Sequence, residues 1–312
     1  MEVPIVVIRR NVWYSSGRVV CRKNLHLEAE MKKIIITGCN GQLGRALNKE
    51  LENKPEYELV NTDVAELDIT DIDKVLKLAK EVKPYAIINC AAHTGVDACE
   101  TQQDLAYRIN AIGPRNLSIA ATQTGAKLIH ISTDYVFPGD MANRPLIEFD
   151  PVGPKGMYGK TKLAGEQFVQ QFAQNFFILR TAWLYGDGKN FIKTMLRLSE
   201  DHDVVKVVND QFGTPTSASE LAKAIAYLLP TDNYGLFHAT CEGSTSWDEF
   251  ARTIFKRAGK NTQVIGISTQ EYNAPAYRPA YSILENYMFK LTTDFRFMNW
   301  EDAFEEYIRT LL

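Results

Sequence analysis

The stretch that decides the fold is KKIIITGCNGQLG, residues 32–44. Its first half, KKIIIT (32–37), is a short apolar run, the pattern of a strand buried on both faces of a sheet. Its second half spaces Gly38, Gly41 and Gly44 as GxxGxxG, and RALNKELEN then reads as a helix. A glycine pattern set between a strand and a helix is the context of a dinucleotide-binding turn. Gly38 would permit the tight turn, Gly41 the approach of a pyrophosphate, and Gly44 close helix–strand packing. The amides of Gln42 and Leu43 would stand at the helix N-terminus, where unpaired N–H groups and the helix dipole favour an anion. A glycine-rich turn without a ligand is the plainer alternative.

Outward from that turn the chain alternates strand and helix. YELVNTD (57–63), YAIINCAA (85–92), AKLIHIST (126–133) and FFILRTA (176–182) read as strands. DIDKVLKLAKEV (71–82) has apolar residues at helical spacing, and RNLSIAATQTG (115–125) ends a helix at a glycine stop. This order predicts an α/β fold, a Rossmann-type doubly wound parallel sheet that binds ligands at the carboxyl ends of its strands. After about residue 185 the rhythm loosens. Ser217 with Glu220 and Ser246 with Glu249 have capping-box spacing, and NWEDAFEEYIRTLL reads as a terminal amphipathic helix. The expected organisation is a Rossmann domain over 31–185 and a smaller, mainly substrate-binding lobe over 186–312, with the chain free to cross between them. Residues 1–30, ahead of the second methionine Met31, read as an extension outside the fold; they lack the pattern of a secretory signal, and a transit peptide is the weaker alternative.

The chain of 312 residues is 45% hydrophobic and 23% charged, enough for a sizeable globular core. A formal charge of −3 and the lack of a long basic run argue against a nucleic-acid partner. No apolar run approaches membrane-spanning length, so no membrane partner is expected. The cysteines Cys21, Cys39, Cys90, Cys99 and Cys241 are scattered without a CxxC pair, which fits a reduced, cytoplasmic setting. The histidines show no ligand-like spacing, so no metal is expected.

Candidate site residues follow the strand ends. Asp63, about 20 residues past the glycines, can accept from the hydroxyls of an adenosine ribose and would repel a 2′-phosphate, favouring NADH over NADPH. Asp68 and Ile69 are placed to lie near an adenine, although Asp68 equally suits a helix entry. Ala91 and Ala92 follow a strand end where small side chains would let a cofactor cross, and His93 could touch it through its backbone. Thr133 ends the fourth strand and can donate to a substrate carbonyl, or form an ordinary turn. MYGKTKLAGE (157–166) sets Lys162 one helical turn after Tyr158. With fourteen tyrosines, about one such spacing is expected by chance. With Thr133 upstream, however, the three make a carbonyl-reduction site: Tyr158 as the acid, Lys162 lowering its pKa and holding the nicotinamide ribose, Thr133 polarising the carbonyl.

Together these residues resemble the extended short-chain dehydrogenase/reductases, and among them the dTDP-4-dehydrorhamnose reductases. The resemblance runs through TGCNGQLG, INCAAHTGVDACE, STDYVFPG, MYGKTKLAGE, RTAWLYG, NFIKTML, NDQFGTPT and RPAYSILEN. It implies NADH- or NADPH-dependent reduction at C4 of dTDP-4-dehydro-6-deoxy-L-mannose. It further implies that Thr133, Asp134 and Trp183 contact the sugar, and that Asn190, Gln211 and Arg278 help bind nucleotide or diphosphate. Arg278 could instead pin the C-terminal lobe. Gly156-Met157 stands where the family often has Asn-Val, which loosens the expected loop. The resemblance leaves open whether the chain works as a homodimer and whether a metal sits between subunits. A 4,6-dehydratase would need a second acid where this chain has Tyr135. The remaining rivals are an epimerase, a reductase of another dTDP-deoxysugar, and a non-catalytic subunit like the β subunit of methionine adenosyltransferase.

Overall fold

The computed structural model describes residues 31–312; the reading of residues 1–30 and Cys21 lies outside them. Five strands follow the expected order: β1 (Lys32–Thr37), β2 (Tyr57–Thr62), β3 (Ala86–Asn89), β4 (Lys127–Thr133) and β5 (Phe176–Thr181). A sixth, Gly235–His238, joins β5, and the sheet runs Gly235–His238, β5, β4, β3, β1, β2, parallel throughout. The connection reverses direction between β1 and β3, which opens a crevice at their carboxyl ends. Thr37 at the end of β1 donates to Asn89 Oδ1 at the end of β3, 2.7 Å away, and ties the two exits together.

The apolar run of β1 serves both faces, as period-two alternation requires. Ile34 and Ile36 pack with Leu43 and Leu47 of helix Gln42–Leu51 and with helix Ala218–Leu228. Ile35 points the other way, toward Val75, Leu117 and Val169 of helices Ile72–Val82, Gly113–Thr124 and Met157–Phe172. Each such side chain fully buried stabilises the fold by roughly 1.5–3 kcal/mol. Gly125, in the left-handed region at φ 72°, stops its helix as expected.

The segment 186–312 divides between two cores. Helix Ala218–Leu228 and strand Gly235–His238 belong to the main sheet. Helices Phe191–Asp201, Trp247–Arg257 and Trp300–Ile308 gather around Tyr185, Phe250 and Phe304, beside a parallel strand pair, Val204–Val208 with Gln263–Ile267. The capping boxes are half formed. Ser217 and Ser246 cap through Ser219 N–H and Glu249 N–H, but Glu220 turns away to accept from Lys223 and from the Met298 amide. No helix among the described residues is long and apolar enough to cross a membrane.

Helix Met157–Phe172 is seated with almost no clearance. A Cβ on Gly159 would lie 2.2 Å from the Tyr135 carbonyl oxygen, and one on Gly165 would lie 2.2 Å from that of Asn110. The loosening expected at Gly156 is countered by Glu100, whose Oε1 accepts the Met157 N–H at 2.9 Å. Gly165→Ala should therefore force the helix outward and cost about 1–3 kcal/mol, the usual penalty for overpacking. A fall in thermal midpoint relative to wild type checks this; an unchanged midpoint would show that the contact yields.

Candidate active site

A cleft of about 940 Å³ opens at the carboxyl ends of β1, β3 and β4. Its floor is the glycine turn. Gly38 has φ +63°, and a Cβ there would lie 2.8 Å from the Ala91 nitrogen, so only glycine lets the exits of β1 and β3 meet. Gly41 caps helix Gln42–Leu51 with no side-chain bond, and no acid stands in its first turn. The amides of Gln42, Leu43 and Gly44 have no partner among the described residues. An uncapped helix end facing a cleft is a donor set suited to a diphosphate. The turn therefore fits a dinucleotide.

Gly38, Gly41, Gln42, Leu43, Asp63, Asp68, Ile69, Ala91 and Ala92 all line the cleft. Asp63 Oδ2 accepts from the Asn40 amide at 3.1 Å and Oδ1 from the Val64 amide at 2.8 Å, which fixes the carboxylate at the end of β2. Asp68 Oδ1 accepts from both the amide and the hydroxyl of Thr70, so it also shapes the entry to the next helix. His93 departs from expectation. Its N–H donates to Asn110 Oδ1 and its carbonyl accepts from Asn110 Nδ2, which leaves its backbone committed inside the protein and off the cleft wall.

Thr133, Asp134, Tyr158, Lys162 and Trp183 line the same cleft. Lys162 is buried, and its Nζ donates to the Ile131 carbonyl at 2.6 Å. Burial pulls its pKa down to about 8, against an opposing pull from Glu166. The Tyr158 ring meets Tyr135 edge-on at 5.4 Å. Tyr158 keeps part of its surface open to the cleft, yet the protein crowding its hydroxyl pushes the phenol well above its ordinary pKa, with the Thr133 hydroxyl pulling the other way. Burial outweighs any pull that Lys162 exerts on the phenol, and the ammonium is engaged at the Ile131 carbonyl. Thr133 also departs from a simple donor role. Its proton goes to Asp134 Oδ1, 2.9 Å away, while its oxygen accepts from the Tyr135 amide.

Three of the expected substrate contacts lie elsewhere. Asn190 caps helix Phe191–Asp201 by accepting from the Lys193 amide, and donates to Gly186 and Tyr307. Gln211 is buried against Thr269. Both guanidinium NH2 groups of Arg278 are held by Asp97, at 3.0 and 2.9 Å, so it pins the C-terminal segment to helix Val96–Thr101. None of the three lines the cleft.

Sequence reasoning missed Trp247 and Arg108, which do line it. Trp247 stacks on Trp183 with ring centroids 3.6 Å apart and planes 9° from parallel. Trp183 has φ +47°, a strained value for a non-glycine residue, and its ring lies against Gly213, where a Cβ would come within 2.5 Å. No local spacing pairs residues so far apart in the chain.

The chain matches the family model described as RmlD substrate binding domain over residues 31–312. It is 38% identical over 280 residues to the spore coat polysaccharide biosynthesis protein SpsK of Bacillus subtilis, covering 89% of this chain and 98% of that one. A solved dTDP-4-dehydrorhamnose reductase from Clostridium acetobutylicum is 52% identical, with a TM-score of 0.87, covering 89% of this chain and 99% of that one. The dTDP-4-dehydrorhamnose reductase of Bacillus anthracis, solved in complex with NADP, is 44% identical with the same TM-score, covering 90% and 99%.

Asp134 sets the pH behaviour of this part of the cleft. It is buried, its Oδ2 has no partner among the described residues, and burial pushes its pKa up to about 6, against the pull of the Thr133 hydroxyl. A carboxylate raised in the fold is favoured protonated, so it weakens the native state progressively as pH rises from the unfolded value through about 6. Asp134→Asn should therefore stabilise the protein at pH 8 by on the order of 2 kcal/mol. That gain should shrink as pH falls below 6. Urea unfolding at pH 8 and pH 5 measures both, and an equal effect at the two values would contradict the assignment.

Proposed function

The chain belongs to the RmlD substrate binding domain family, and from that premise we propose that it is an NAD(P)H-dependent oxidoreductase. The proposed reaction reduces the C4 ketone of dTDP-4-dehydro-6-deoxy-L-mannose to dTDP-L-rhamnose. The observation that carries this reading is that an uncapped glycine turn and Tyr158, Lys162 and Thr133 line one cleft.

A bound reduced nicotinamide would supply the hydride to C4. Tyr158 gives its phenolic proton to the oxygen that becomes the new hydroxyl. Crowding that raises the phenol keeps it protonated at neutral pH, so the donor form is the one present. Lys162, still charged below about pH 8, balances the phenolate left behind. The Thr133 hydroxyl needs only rotation about its C–O bond to turn its proton from Asp134 toward the substrate oxygen. Asp134, the present acceptor of the Thr133 proton, holds that hydroxyl in place until the substrate oxygen takes it over. Trp183 backed by Trp247 offers a flat apolar wall for the deoxysugar. The helices around Phe250 would close the substrate side as a lobe.

Cofactor preference turns on Asp63. Its carboxylate suits the free 2′-hydroxyl of NADH and repels the phosphate of NADPH. Asp63→Ala should raise the NADPH-to-NADH ratio of kcat/KM by about tenfold, the worth of roughly 1.4 kcal/mol; a ratio that does not move removes Asp63 from cofactor selection. Tyr158→Phe should lower kcat by about 10²–10⁴-fold with cofactor affinity kept, as for loss of a general acid. NAD(P)H oxidation against a panel of dTDP-4-keto sugars reads both, and unchanged turnover in Tyr158→Phe would overturn the assignment.

A further inference from the structure

Behind the cleft, reaching its wall only through Ser132, lies a buried polar cluster that the proposed reaction does not use. Glu166 stands one turn past Lys162 on helix Met157–Phe172 and is 1% exposed. Its Oε1 accepts from the Ser132 hydroxyl at 2.5 Å and from Arg180 Nε at 2.9 Å, while Oε2 accepts from a second Arg180 nitrogen at 2.7 Å. Ser132 belongs to β4, between Ile131, whose carbonyl takes the Lys162 ammonium, and Thr133. Arg180 belongs to β5. One carboxylate therefore joins the helix carrying Tyr158 and Lys162 to the strand carrying Thr133 and to the strand beyond it.

We propose that Glu166 is a positioning residue for the reduction: it fixes the Tyr158–Lys162 helix in register with Thr133 and supplies the negative charge that keeps the Lys162 ammonium protonated. This deepens the functional reading above and, for its role in turnover, rests on it.

Two carboxylates come from the elements around Lys162: Asp134, just past β4, is engaged by the Thr133 hydroxyl, and Glu166 is the one that opposes the fall of the Lys162 pKa. Tyr158 precedes Lys162 by one turn, and its phenol is held neutral. Cys90, at the exit of β3, faces Lys162 with its thiol pushed far up by burial, hence neutral. From β4 come the Ile131 carbonyl and His130, whose pKa burial and Lys162 hold well below its usual value, also neutral. Arg180 lies against the carboxylate of Glu166, with Glu148 and His238 beyond it. Burial alone favours the neutral amine, and the charge of Glu166 opposes it. Removing that charge lowers the pH at which Lys162 gives up its proton.

The test is Glu166→Gln, which keeps the shape and removes the charge, made in the full chain. Two readouts are needed. One is the titration of the Lys162 side-chain resonance in ¹³C-lysine-labelled protein without substrate, assigned by its loss in Lys162→Met. The other is the high-pH limb of kcat/KM with the dTDP-4-keto sugar. Both should move down by about one pH unit, a tenfold change in the ratio of ammonium to amine. Glu166→Asp, which retains the charge, should leave both near wild type. Should Glu166→Gln fail to fold with Arg180 left unpaired, the same titration and kinetic limb are read in Ser132→Ala and Glu166→Asp, which keep the charge and should leave the titration near wild type, and a titration that falls in these variants overturns the charge assignment. An unmoved Lys162 titration in folded Glu166→Gln overturns the proposal, as does a lowered titration with an unmoved kinetic limb. The resonance is read without substrate, so wild-type protein that does not turn over the keto sugar would fail the functional reading alone.

Discussion

Close backbone contact of helix Met157–Phe172 with the turn after β4 and with segment Arg108–Ile112 is the constraint on which the site depends. Glycines at 159 and 165 let the helix rest against the carbonyls of Tyr135 and Asn110. The Lys162 ammonium then reaches the Ile131 carbonyl, and Glu166 reaches Ser132 and Arg180. A phenol and a threonine from segments 25 residues apart are thereby held in one cleft. Without that seating, the same side chains would share a neighbourhood but no geometry.

The electrostatics follow from how dry this region is. Burial pushes Tyr158 and Asp134 up and Lys162 down, each toward its neutral form. Asp134 and Lys162 are thereby held near their switching points, where protons move readily, and the fold is less stable for holding them there. Trp183 adds backbone strain, at φ +47°, with its ring packed on Gly213 and stacked on Trp247. Stability is recovered away from the cleft. The two faces of the sheet bury Ile34, Ile35 and Ile36, and the Asp97–Arg278 pair clips the C-terminal segment to the body.

Much of the fold was legible because its signals are local. An apolar run, a glycine turn and a helix stop each reflect the conformational limits of a few neighbouring residues, so β1 through β5 and the turn after β1 could be read directly. The later segment was harder. Strand Gly235–His238 is short and reads as nothing in particular, yet it completes the main sheet because β5 offers it an unpaired edge. Ser217 behaved as its spacing suggested, while Glu220 found better partners in Lys223 and Met298 than the helix start could offer.

Among the site residues, the sequence by itself determined which chemistry was available: glycines able to expose amides, a carboxylate after β2, and a phenol one turn from an amine. These depend on residue type and on spacing within one element. Only the tertiary structure decided who meets whom. It sent Asn190 to a helix cap, Gln211 to Thr269, Arg278 to Asp97 and the backbone of His93 to Asn110, and it brought Trp247 onto Trp183. The physical reason is that a polar group removed from water must find a partner, and that choice is made among atoms distant in the chain, which no local pattern records.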